Sequence, residues 1–120
     1  MATRADAINF LRGINGMEEV GDALFRFEVS YDDGRSQLVF LSVLDDLMVL
    51  SSPFASKDDI SARKALDLAV IFGVADIGEF YVLRHILFLE DLDESEVVNS
   101  ISLLAARADT IEEEVGGDRM

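Results

Sequence analysis

The segment from Phe80 to Leu89 reads FYVLRHILFL, and its apolar residues fall on both faces of an extended chain. Phe80, Val82, Ile86 and Phe88 share one face, and Tyr81, Leu83, Leu87 and Leu89 share the other. Side chains alternate across a strand with a period of two, so such a strand asks for cover on both sides. The segment from Ser36 to Leu44 has the same character, with Val39, Leu41 and Val43 set against Leu38, Phe40 and Leu44. A chain of 120 residues holding two such strands must find that cover inside one small domain or outside itself.

The remaining elements follow from periodicity and punctuation. Thr3 with Asp6 three residues on is close to a capping box, and Ala7, Ile8 and Leu11 follow at helical spacing before Gly13 and Gly16. From Leu24 the period becomes two: Phe25, Phe27, Val29 and Tyr31 lie on one face, Arg26, Glu28 and Ser30 on a wet one. Asp32-Asp33-Gly34 signals a hairpin, and Asp45-Asp46 a second reversal into a strand over Leu47 to Ser52 that Pro53 is expected to stop. A helix is expected from near Asp58-Asp59 to Phe72, then a strand at Val74-Ala75-Asp76, a turn around Ile77-Gly78-Glu79 and the long strand from Phe80. Asp93-Glu94-Ser95-Glu96 opens a last helix that should end at Gly116-Gly117.

The fold class is therefore α+β in the order α-β-β-β-α-β-β-α, a mostly antiparallel five-stranded sheet packed by helices. The chain reads as a single domain over 1–120, with a frayed tail from about residue 116. A roadblock or longin-like αβ sandwich is the structural alternative. It would place two strands rather than three before the middle helix, so the Leu47 to Ser52 segment discriminates.

The last helix is amphipathic, with Val97, Ile101, Leu104, Ala108, Ile111 and Val115 on one stripe and Asn99, Arg107, Glu113 and Glu114 opposite. The middle helix has two stripes: Ala62, Ala65, Leu66, Ala69 and Val70, and about half a turn away Ile60, Leu68 and Ile71. Three helices cannot cover both faces of such a sheet, which predicts that a second subunit or a client segment covers the rest. A homodimer is the simplest closed solution. Strong twisting that buries both faces within a monomer is the other way out. The candidate dimer or partner interface is Ile60, Lys64, Leu68 and Ile71 on the middle helix with Tyr81, Leu83 and Leu87 on the long strand. Lys64 belongs to the densest basic spot, with Arg63 and Lys57, and suits a carboxylate across an interface.

Composition narrows the function. There are 24 acidic and 10 basic side chains, a net charge of −14, one His and no Cys, with half the residues apolar. Such a surface repels phosphate, which argues against nucleic acid and anionic membranes as partners. No apolar run reaches the length of a bilayer span, and Asp6 interrupts any secretory leader, so the protein reads as cytoplasmic. Without Cys there is no disulfide framework or thiol nucleophile.

The pairs Asp32-Asp33, Asp45-Asp46 and Asp58-Asp59 sit at turns and helix starts, where Asp serves local hydrogen bonding better than metal binding. The run from Asp91 fails as a calcium loop, because its sixth position is Glu96 instead of Gly and its twelfth is Ser102 instead of Glu. His85 is alone in a strand, with no G-x-S-x-G elbow and no Gly-rich phosphate loop elsewhere. No catalytic, cofactor-binding or metal residue is assigned, and no cofactor is expected. A small hydrolase or isomerase using Asp and His85 is the enzymatic alternative.

The element order, together with Ile77-Gly78-Glu79-Phe80, Val82-Leu83-Arg84, Leu89-Glu90-Asp91-Leu92-Asp93 and Ala105-Ala106-Arg107-Ala108-Asp109, resembles the bacterial YbjN family. The fold of that family is similar to that of type III secretion chaperones. The resemblance implies a helix-packed antiparallel sheet that dimerises, with the middle helix, here Ile60 to Phe72, in the interface. It also implies a binding or chaperone-like role without catalysis. The partner would be a protein client held as a segment, or a folded protein bound by a sensory or regulatory adaptor.

Overall fold

The computed structural model describes residues 3–69 and 71–118. Helix α1 (Arg4–Arg12) begins at the expected capping box: Thr3 Oγ1 accepts from the Asp6 N–H at 3.1 Å and Asp6 Oδ2 accepts from the Thr3 N–H at 3.3 Å. These bonds satisfy two backbone donors that a helix start otherwise leaves open. Ala7 and Leu11, one turn apart, are buried.

Strands β1 (Glu18–Gly21), β2 (Leu24–Ser30), β3 (Ser36–Val43) and β4 (Leu47–Ser56) follow, then helix α2 (Ala62–Ala69), strands β5 (Gly73–Ile77) and β6 (Phe80–Phe88), and helix α3 (Glu94–Asp118). The sheet runs β1-β2-β3-β4-β6-β5, and every neighbouring pair is antiparallel. It has six strands where the pattern predicts five. The added strand, β1, is short and exposed along its whole length, so it carries no alternation to read. Four strands precede α2, with β4 over the discriminating Leu47 to Ser52 segment, so the two-strand sandwich is not the architecture found.

Both expected hairpins form. Gly34 takes φ +86°, a conformation open to glycine, while the Tyr31 N–H donates to the Arg35 carbonyl at 2.9 Å. At Asp45-Asp46 the Leu44 N–H donates to the Leu47 carbonyl at 2.8 Å.

Two element boundaries differ from the sequence reading. Pro53 does not stop its strand: β4 continues to Ser56 by pairing with β6, with a register shift between Pro53 and Ala55. A proline lacks only the N–H, and a bulge is where a sheet accommodates that loss. Helix α2 starts at Ala62, not near Asp58-Asp59, because Ser61 caps it, its Oγ accepting from the Lys64 N–H at 3.1 Å. The preceding turn is held to the β5–β6 hairpin, where the Lys57 N–H donates to the Glu79 carbonyl at 2.8 Å and Lys57 Nζ pairs with Asp76 at 2.8 Å. The helix ends at Ala69; Val70, expected on the stripe with Ala62, Ala65, Leu66 and Ala69, lies outside the described residues, as do Arg119 and Met120 of the tail. At the C-terminus α3 runs on through Gly116 and Gly117 to Asp118.

The core lies between one face of the sheet and the helices. Phe25, Val39, Leu41, Met48, Leu50 and Leu83 come from the strands, and Val97, Ile101, Leu104, Ala108, Ile111 and Val115 from α3, the whole of its expected stripe. Burying each large side chain contributes about 1.5–3 kcal/mol, which makes this layer the main source of stability.

Candidate functional site

The face of the sheet turned away from the core is where the unsatisfied apolar surface collects. Registered pairs build it in rungs across the strands. One rung carries Leu24, Ser42, Val49 and Ile86, and the next Arg26, Phe40, Ser51 and Arg84. Beyond them Glu28 pairs with Leu38, and Pro53 with Val82, while Phe80 meets Ile77 at the hairpin end. Among these, Ile77, Phe80, Ile86 and, at the end of β6, Phe88 are exposed, Phe88 by 70%. Leu24, Leu38, Phe40 and Val49 are only half-buried. The face forms a trough of about 990 Å³ lined by Leu24, Leu38, Phe40, Val49, Pro53, Phe80 and Val82, with Glu28, Asp59, Arg84 and Glu112 at charged positions.

The trough deepens where the sheet splits. Pairing between β3 and β4 ends at Phe40↔Ser51, although both strands run on. Two residues on, the same register would set Leu38 against Pro53, which has no N–H to give. Side chains replace the missing rung: Ser52 Oγ donates to the Leu38 carbonyl at 2.6 Å. Gln37 Nε2 donates to Ser52 Oγ at 2.9 Å and to the Pro53 carbonyl. Ser36, Gln37, Pro53, Phe54, Ala55 and Ser56 line the resulting slot, and Glu112 and Val115 of α3 reach it from the core side. Gln37 Oε1 is buried there without a hydrogen-bond partner.

The structure distributes the sequence-predicted interface residues over different environments. Leu83 is wholly buried in the core and offers no surface. Tyr81 and Leu87 are half-buried and pack against the same core, Tyr81 stacking on Phe54 with ring centres 6.4 Å apart. On β6 the exposed face is the opposite one, with Phe80, Ile86 and Phe88; alternation alone names two faces without saying which one the helices take. Ile60 and Leu68 are half-buried against the core, and Lys64 is exposed. Ile71 stands out at 78% exposure, next to a shallow hollow lined by Ala69, Phe72, Leu103 and Arg107. Leu66 and Leu103 are exposed as well, so α2 keeps apolar surface uncovered. Arg107, expected on the wet side of α3, is turned inward: its Nη2 donates to the Leu68 carbonyl at 2.7 Å, and its Nε is buried without a partner.

Charges are arranged around the trough more than in it. Arg35 gathers Asp33 at 2.8 Å, Asp109 at 2.9 Å and Glu113 at 3.1 Å, tying the β2–β3 hairpin to the end of α3. Loss of hydration, and then the Asp109 charge, push the Glu112 carboxyl above its usual range. His85 is half-buried, with Phe72 edge-on at 5.8 Å. Among the described residues no group of His, Cys, Asp or Glu is placed to hold a metal ion, and no helix is long and apolar enough to cross a membrane. Sequence reasoning missed Gln37, Ser52 and Glu112; the signal that could have found the slot is Pro53 within a strand that continues.

No family model matches the chain, and no curated protein does. Among solved structures, a chain in the crystal structure of the ExsC–ExsE complex is similar over 94% of this chain and 96% of its own, with a TM-score of 0.60 and 12% sequence identity. At that identity the likeness concerns the fold alone.

Proposed function

We propose that the chain is a non-enzymatic protein-binding module of YbjN-like type that works as a homodimer in the cytoplasm and holds a segment of a partner protein as a chaperone does. The observation that carries this reading is the open trough: a sheet face lined by Leu24, Leu38, Phe40, Val49 and Val82, which helix α3 reaches with Glu112 and Val115 at its slot. A long apolar concavity on an ordered sheet suits an extended chain, whose alternate side chains can enter it. The similar chain was solved in a complex of two proteins, which supports partner binding in this fold.

The exposed residues Leu66 and Ile71 of the α2 region, with Leu103 of α3, support a subunit contact separate from the trough. The division of labour is then simple: the α2 side joins two copies, and the sheet faces stay free for partners. The reading needs no catalytic group and no cofactor.

Light scattering at micromolar concentration should give twice the chain mass for the wild type and the single mass for Ile71→Asp. Phe80→Asp, at an exposed position, should leave the dimer and the circular dichroism spectrum intact while losing proteins that co-purify from the source cells. Many unfolded partners on the wild type fit the chaperone reading; one stoichiometric folded partner makes the chain a regulatory adaptor instead. A monomeric wild type, or partners indifferent to Phe80→Asp, overturns the respective half of the reading.

A further inference from the structure

We propose that the split between β3 and β4 receives a lysine or arginine side chain from the partner's bound segment, so that the segment is an extended apolar stretch carrying a basic anchor. This inference rests on the partner-binding reading above and adds the chemistry of what is bound.

Three observations bear on the slot and the trough that opens over it. Gln37 is 3% exposed, both its donor bonds go to β4, and its Oε1 has no partner. A buried amide oxygen without a donor is costly, and the group that satisfies it has to bring an N–H. The carboxylates Glu28, registered with Leu38, and Glu112, from α3, line the same trough. Arg84 is the single cation in that lining, and it belongs to the rung of Phe40 and Ser51, where regular pairing still holds.

A neutral donor would satisfy Gln37 alone, and an acidic side chain would face Glu28 and Glu112. An ammonium or guanidinium group satisfies the amide and meets the carboxylates together, in charge-assisted bonds that are stronger than neutral ones. The apolar stem of lysine or arginine suits the walls that Leu38, Pro53 and Val82 provide. A second copy of this chain is not the occupant of the trough, because the subunit contact proposed above uses the exposed Leu66, Ile71 and Leu103 instead.

The test uses the full-length protein and short synthetic peptides, blocked at both ends, that alternate valine and threonine around a central lysine, arginine, norleucine or glutamate. Fluorescence polarisation should show lysine and arginine peptides binding about tenfold more tightly than norleucine, the scale of one charge-assisted hydrogen bond, with glutamate weakest. Glu112→Gln and Glu28→Gln together should remove most of that preference and leave norleucine binding unchanged; both positions are exposed, so folding is not at stake. Gln37→Met should lower lysine binding too, but Gln37 also clips β4, so the carboxylate pair is the deciding variant. Equal affinity for lysine and norleucine overturns the basic anchor and leaves the partner-binding reading standing. Failure of every peptide to bind overturns the trough as a docking face as well.

Discussion

Asp93 shows how much a single side chain sets at a helix start. Its Oδ1 accepts from the Glu96 N–H at 2.8 Å and from Ser95 Oγ at 2.7 Å. These bonds, led by that from Ser95, hold the carboxyl below its ordinary range. A carboxylate whose folded value is depressed stabilises the fold fully above the unfolded carboxylate range, near pH 4, and loses that contribution as pH falls through the folded value. Asp93→Ala should therefore melt a few degrees below the wild type at neutral pH, and the gap should close in acid, once pH has fallen through the depressed folded value and the wild-type cap is protonated too. Scanning calorimetry at the two pH values measures this, and a gap that persists in acid would mean the residue acts through packing instead of charge.

The elements divide by what they bury. Strand β1 is exposed throughout, whereas β3, β4 and β6 carry more of the buried residues and are the strands that α3 packs against. Local opening follows buried contact, so amide exchange should be fastest in β1 and slowest at the paired centre of β3, β4 and β6. Exchange followed by mass spectrometry checks the order, and protection of β1 equal to that of β4 would contradict it.

The same division explains what could be read from residues alone. The core stripes of α3 and of the central strands were legible, because burial imposes a period: Val97 to Val115 on α3, and Phe25 with Leu41 and Leu50 across three strands; that of α2 was not, since Ala62 and Leu66 are exposed beside the buried Ala65 and Ala69. The two hairpins and the caps at Thr3 and Asp93 were legible from local chemistry. What escaped was set by tertiary partners. Strand β1 exists because β2 offers an edge, and β4 passes Pro53 because β6 holds it on the other side. The outward face of β6 was decided by where the helices settled. Arg107 turned inward because a carbonyl at the end of α2 was within reach. The apolar excess was visible in the sequence, but its position was not, since two equal faces give no sign of which one remains open.

At the scale of the molecule the net charge of −14 has to be tolerated by a small body, and its ion pairs are mostly at the surface, where each is worth little. Self-repulsion among the excess carboxylates should make stability rise with salt. Raising sodium chloride from about 0.01 M to about 1 M shortens the screening length from about 30 Å to about 3 Å, and the melting temperature should increase across that range. A melting temperature that falls with salt would show that the ion pairs outweigh the repulsion.

The two borders of the sheet are unlike each other. Strand β1 ends it with Glu18 and Glu19, both engaged in ion pairs with Arg26 and Arg12, and with an irregular register between Glu19 and Gly21. Strand β5 ends it with Gly73, Val74 and Ala75, which bear no charge, and with Asp76, which Lys57 holds at 2.8 Å. Both borders thus carry charge, β1 with an irregular register besides and β5 only towards its hairpin end. Charge at both margins disfavours the addition of a further strand, so a protein rich in strands is kept from stacking into fibres.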